Sequence, residues 1–408
     1  MRLESVPRPG PQRLAPLVPL LLGVVVGITI GYLFRTMIWD YMQHGSDAAY
    51  FFEAASTGDY DFSLDESLLF TENQVPLILY GEIYALMSSL GFDADPLGGI
   101  LSNTALVLTA LALLLHYART RFGYGPRRQL MLAGLLSFNG LVMMFAGIHM
   151  RDAFLLFTTT VAVIAFHPAP GRTSLRRHAA RIGTLIVLAL LSFLSRKEAV
   201  AVPILVYFLA VASTLDFRRT GVRVAMLVCA SILVTVAVRL NVIQFVTENA
   251  EAYKLLSQEE SSSSSLAYFL LYDLPAPFST LAGMALLLFI KFPFWRGALS
   301  DSYSFFISLA AFQMLFIAPA TIGLCWFALR RPLELRHRYL FLILVAMLSI
   351  VTLTSNQVRH FAVVYPVLMI LYLCRDEIVP QASQRGFRRY SLFATALVIL
   401  ASLAIGLR

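Results

Sequence analysis

The chain has 408 residues, of which 58% are hydrophobic and 14% charged, and its mean hydropathy is +0.73. Soluble domains sit near half apolar and a quarter charged, so the composition excludes a soluble protein with a single anchor and points to a polytopic membrane protein. The net charge is +8 and nearly every basic residue is arginine. That balance raises nucleic-acid binding as a class, which the positions of the charges then exclude.

The N-terminus carries Arg2, Arg8 and Arg13 before an apolar run. No small-residue cleavage site follows that run, so it reads as a retained first span and not as a signal peptide. A span needs about 20 mostly apolar residues. The windows that approach this are 16–38, 97–117, 129–149, 152–167, 182–196, 199–215, 224–246, 303–329, 339–355, 361–374 and 390–407. They predict an all-α polytopic membrane protein of 11 spans, a single integral domain over 1–408, with the N-terminus cytoplasmic.

Lysine and arginine in short loops set orientation. With the N-terminus inside, the inner segments collect Arg119, Arg121, Arg127 and Arg128, then Arg172 to Arg181, Arg218 to Arg223, Arg330 to Arg338 and Arg375 to Arg389. Every alternate loop agrees. The positive charge is therefore topological, and nucleic acid is not a partner. The acidic residues gather on the other side. Two apolar segments, 74–92 and 275–296, would invert all later loops if they crossed, so they are expected to be interfacial or re-entrant helices. They belong to the first outer loop, 39–96, and the second, 247–302. The QEESSSSS tract of the second loop reads as a spacer. The cysteines, Cys229, Cys325 and Cys374, lie in apolar runs without metal spacing and imply no disulfide framework.

Basic residues at outer ends run against this bias and need an account. They are His149 and Arg151, Arg196 and Lys197, Lys291 and Arg296, and Arg359 and His360. Three of these pairs sit in very short loops, HMRD, SRKE and SNQVRH, at the membrane boundary. Charges held at that depth are costly unless they are paired or face a wet cavity. Arginine presents a planar fork of donors suited to phosphate oxygens. Arg151, Arg196, Lys197, Arg359 and His360 are thus candidates for a lipid-phosphate site, with Asp152 and Glu198 beside them as orienting groups. The plain alternative is local ion pairs, Arg151 with Asp152 and Lys197 with Glu198, and an Arg359 that snorkels.

The first outer loop, WDYMQHGSDAAYFFEAASTGDYDFSLDESLLFTEN, contains many acids and no lysine or arginine. Ser46 can cap a helix that begins at Asp47. Asp47, Tyr50, Phe51 and Ala54 then share a face, and the helix dipole favours an ionised Asp47. Such a carboxylate can serve as a general base if it reaches a sugar hydroxyl; it can equally do no more than assist capping. Tyr50 and His149 are supporting candidates. Asp59-Tyr60-Asp61 matches a three-letter metal motif of little specificity, and the sequence requires no metal or other cofactor.

These local features resemble the polytopic C-type glycosyltransferase superfamily and the neighbouring oligosaccharide polymerases of bacterial envelopes. The resemblance rests on HGSDAAYFFEAASTGDY, NQVPLILYGEIYALMSSLGF, RDAFLLF, SRKEA and NQVRHFAVVYP, in order between residues 40 and 370. It implies that Asp47 is the base or acceptor-binding acid and that Arg151, Arg196, Lys197, Arg359 and His360 hold a polyprenyl-phosphate sugar. Two departures stand out: Asp47 is followed by Ala48 where many members carry an acidic pair, and the chain ends at Arg408 without the large outer domain of many members. The expected activity is transfer from a polyprenyl-(pyro)phosphate-linked sugar donor to a glycan or glycolipid acceptor, at the outer face of a bacterial cytoplasmic membrane. The rival readings are an oligosaccharide polymerase, a transporter or flippase for lipid-linked saccharides, and an assembly partner without chemistry.

Overall fold

The structure, a computed structural model, describes residues 47–58, 73–168, 175–214, 278–289, 302–331, 333–354 and 358–406, with isolated positions between 18 and 29 and at 275 and 295. Every regular element among them is a helix. In chain order these are α1 (Asp47–Thr57), α2 (Gln74–Ser89), α3 (Leu97–Phe122), α4 (Pro126–Ser137), α5 (Gly140–Gly147), α6 (Asp152–Ala165), α7 (Leu175–Ser195), α8 (Ala201–Thr214), α9 (Phe278–Phe289), α10 (Ser302–Arg330), α11 (Leu335–Thr354), α12 (Val358–Phe361), α13 (Tyr365–Leu373), α14 (Arg375–Ile378) and α15 (Gln381–Gly406). Short 3-10 turns at Lys197–Val200 and Ala362–Val364 precede α8 and α13.

Among the described residues, five helices are long and apolar enough to cross a membrane: α3, α7, α10, α11 and α15; the bent pair α4–α5 makes up to six. The windows 152–167, 199–215 and 361–374 coincide with shorter apolar helices of 10 to 17 residues. The two segments assigned to outer loops, 74–92 and 275–296, contain α2 and α9. The window 224–246 and most of 16–38 lie outside the described residues, as do the Asp59-Tyr60-Asp61 motif and the serine tract. The described residues are thus all-helical, with the apolar helices of a membrane protein.

The layering inverts what helix length suggests. All eight residues of α5 are buried, and α13 is nearly as enclosed. The long helices α7 and α15 lie outside, with only 17% of their apolar windows buried. On α7 the exposed residues Ile182, Ile186, Val187 and Leu190 form one stripe; on α15 it is Leu392, Phe393, Leu397, Leu400 and Leu403. Water does not tolerate contiguous apolar faces of that extent, whereas lipid does.

The single window 129–149 is broken. Between α4 and α5 the axis bends by 63°. Asn139 makes the break possible: its side-chain oxygen accepts from the backbone N–H groups of Leu141 and Val142, at 3.1 and 3.2 Å, which satisfies two donors at the start of α5. Its amide donates to Gln313 Oε1 at 2.6 Å, and Gln313 in turn donates to the Leu135 carbonyl at 2.6 Å. A break in an apolar interior is stable only when its freed groups are satisfied in this way. Gly140 completes it, because a Cβ there would overlap the Phe306 carbonyl of α10. Asn139→Ala therefore removes a cap and strands Gln313, an expected loss of about 2–3 kcal/mol. Thermal unfolding in detergent measures it, and an unchanged midpoint would contradict this reading of the break.

Candidate functional site

Two polar clusters lie at opposite ends of α3. At its start Gly99 packs under His149; at its end the Arg121 carbonyl accepts from Arg336. A helix of 26 residues is about 39 Å long, longer than the roughly 30 Å hydrocarbon core of a bilayer. The end near Gly99 carries the groups that the charge pattern singles out as outer.

The turn His149-Met150-Arg151, between α5 and α6, is clamped from below. Asn103 of α3 donates its amide to the carbonyls of Ile148 and Met150, at 2.8 and 2.9 Å. The Tyr80 hydroxyl lies 2.7 Å from Asn103 Oδ1 and 3.0 Å from the Met150 carbonyl. Thr104 adds a bond to the Ala146 carbonyl at 3.1 Å. The turn thus holds the two side chains it presents, His149 and Arg151.

His149 is buried, tilted by 42° against the Tyr80 ring with centroids 4.1 Å apart, and its Nε2 is 3.1 Å from the Tyr84 hydroxyl. A Cβ at Gly99 would overlap its ring. Phe51 and Phe52 of α1 meet the imidazole edge-on, each with centroids 6.5 Å away. Aromatic pairs of this geometry add about 0.5–1.5 kcal/mol beyond their burial. The seat of α1 is thus α2, where Phe51 meets Tyr80 at 6.1 Å and Phe52 meets Tyr84 at 5.6 Å, with His149 completing it. The docked face centres on Phe51 and Ala55, with Phe52 and Ala54 packed beside them; Tyr50 is 52% exposed. Asp47 is the first residue of α1, one turn before Phe51, or about 6 Å along the axis. Its side chain lies outside the described residues, as do those of Lys197 and Glu198.

Arg151 reaches from the same turn to Asn73 Oδ1. Asn73 precedes α2 with φ 75°, a left-handed conformation that asparagine tolerates better than most residues. Asp152 is buried at the start of α6. Across the site, Arg196 ends α7 and donates from Nη1 to His360 Nε2 at 2.5 Å. A guanidinium can only donate, so this Nε2 is an acceptor and the imidazole is neutral, with its proton on Nδ1. Burial acts in the same direction, followed by the charges of Arg196, Arg359 and Arg151, and together they push His360 well below its ordinary range. These three arginines come from loops 45 to 208 positions apart in sequence, yet all act on one imidazole.

Four of the five expected basic groups thus converge: Arg151, Arg196, Arg359 and His360. The arrangement can hold a multiply charged anion, since three guanidiniums offer forked donors to phosphate oxygens. The neutral His360 fixes Arg196 without adding a fourth positive charge. Sequence reasoning did not find Asn73, Tyr80, Tyr84, Gly99 or Asn103; their roles depend on long-range contacts, and only the helix-starting Asn73 carried a local signal. Comparison of the chain with protein-family models, with curated proteins and with solved structures finds no match.

Folding suppresses protonation of His360, so it makes a pH-dependent contribution to stability. The unfolded imidazole takes up a proton below about pH 6.5, whereas the folded one resists it. The stability is present above pH 6.5 and is lost as pH falls toward the depressed folded value. Between pH 7 and 5 the thermal midpoint of the wild type is expected to fall more steeply than that of His360→Gln. Parallel profiles would rule out this role.

Proposed function

We propose that the protein is a membrane glycosyltransferase that takes sugar from a polyprenyl-(pyro)phosphate donor at the outer face of a bacterial cytoplasmic membrane, for envelope polysaccharide or glycolipid synthesis. The observation that carries this reading is the Arg196–His360 hydrogen bond, with Arg359 and Arg151 near enough for their charges to act on the same imidazole, in a bundle whose α3 is long enough to span the bilayer. Its finer topology is the 11-span arrangement with an inner N-terminus, which the alternation of arginine among the loops supports.

In this mechanism the donor phosphate is held by the arginines, and the lipid tail lies against the apolar helix faces. Negative charge grows on the phosphate as the bond from the anomeric carbon to the phosphate oxygen breaks. Fixed guanidiniums therefore stabilise the transition state more than the ground state. Asp47, at the start of α1, removes the proton from the acceptor hydroxyl as it attacks. His149 acts through α1 and is a positioning residue. Polymerisation would use the same groups with a longer acceptor.

One observation favours a second reading. Broken helices line the binding sites of secondary transporters, and the apolar pair α4–α5 is bent by 63° at its break. A flippase for lipid-linked saccharides would use the same phosphate site but would not depend on a base at Asp47.

The test compares cells making the wild type, Asp47→Asn, Arg196→Ala or no protein, at matched membrane levels, by mass profiling of lipid-linked saccharides. Asp47→Asn is expected to match the null, with one lipid-linked saccharide accumulating. Arg196→Ala should lower turnover by about 10²-fold, more than it weakens donor binding. An Asp47→Asn strain that behaves as wild type would remove the enzyme reading and leave the transporter.

A further inference from the structure

The end of the bundle far from Gly99 holds a second cluster, which the proposed reaction does not use. His337 lies in the first turn of α11, Cys374 closes α13, and Glu377 lies in α14. One ligand atom from each lies within 4.8 Å of the others. Imidazole, thiolate and carboxylate are the donor types from which four-coordinate zinc sites are built, and a thiolate favours ions of that class over magnesium or calcium.

His337 is 2% exposed and Cys374 fully buried. The His337 Nε2 is buried and makes no hydrogen bond among the described residues. It points toward Glu377 Oε2, 3.4 Å away. Buried ring nitrogens almost always have a well-aligned partner; this one meets Glu377 only at 3.4 Å and off hydrogen-bond geometry, a spacing that two ligands of one metal ion also have. The Cys374 Sγ lies 3.1 Å from the Tyr124 hydroxyl, which itself donates to the Ile370 carbonyl at 2.8 Å. A hydroxyl has one proton to give, so the thiol is the donor in that pair.

The charges around the site argue both ways. Arg128 and Arg336 both engage Glu377, and they oppose a second cation. Arg336 also holds Glu334, with Nε 2.9 Å from Oε2. Before the ion binds, Glu377 and Glu334 balance Arg128 and Arg336; once binding has removed the Cys374 proton, its thiolate supplies the extra negative charge that the ion meets.

We propose that His337, Cys374 and Glu377 bind one divalent metal ion of the zinc class at this end of the bundle, with a water as fourth ligand. Binding replaces the Cys374 S–H bond with a metal–sulfur bond and releases the proton to solvent. Glu377 Oε2 turns from Arg336 to the ion, while Arg128 stays on Oε1 and holds the carboxylate's orientation, as outer partners of metal ligands do. The ion ties α11 to α13 and α14, at the end of α3 away from the outer site, so its role is structural.

The probe is Co²⁺, titrated into the full-length, chelator-treated protein in detergent, in a Cys229→Ala, Cys325→Ala background that leaves Cys374 as the one thiol. The expected result is one equivalent of Co²⁺ with a thiolate-to-cobalt charge-transfer band, removed by adding Zn²⁺. The band should vanish in Cys374→Ser, and His337→Gln should weaken Co²⁺ binding at least about tenfold. Absence of the band without further substitution overturns the proposal. So does a band that survives Cys374→Ser, or, should that variant fail to fold, unchanged affinity in His337→Gln.

Discussion

The hydrogen bond from Arg196 to His360 is the contact on which the outer end depends. Three guanidiniums drawn together without water would repel one another, and at short range in a medium of low dielectric that repulsion is large. His360 meets this constraint by remaining neutral. Burial and the surrounding charges keep the proton off, and the bare Nε2 then accepts from Arg196 at 2.5 Å. Arg151 is relieved in a similar way, since it donates to the neutral amide of Asn73.

The remainder of the fold serves to hold these short loops still. The 149–151 turn is fixed by Asn103 and Tyr80, so α3 and α2 set its height. The turn also leaves α5, whose start is pinned to α10 by Asn139, Gln313 and the close approach at Gly140. Short buried helices thus carry the site, and long lipid-facing helices shield them. Through His149 the same turn also meets α1, whose main seat is Tyr80 and Tyr84 of α2.

Much of this was legible in the sequence for a definite reason. Membrane topology imposes a charge rule, so Arg151, Arg196, Arg359 and His360 stood out as breaches of it, and the structure brings all four together. The long apolar helices α3, α7, α10, α11 and α15 were legible because apolar runs of that length have few other uses. What was hidden depends on contacts between distant segments. A hydropathy window sees 129–149 as continuous, since Asn139 is one polar residue among apolar ones; only Gln313, on another helix, makes the break stable. The i, i+3, i+4 pattern put Tyr50 on the shared face of α1, but the docked face is centred on Phe51 and Ala55 because His149 lies on that side. His337 lies 37 positions from Cys374, beyond any spacing rule for metal ligands.

The central claim is that arginines from separate loops form one anion site. A double-mutant cycle on Arg151 and Arg196 tests it, with binding of a short-chain polyprenyl phosphate to the purified protein in nanodiscs as the readout. Groups that share one ligand are coupled, with interaction energies of about 0.5–3 kcal/mol, whereas independent sites are additive. The account predicts that each single alanine variant weakens binding and that the double variant departs from the sum. Additive losses, or binding indifferent to both substitutions, would contradict it.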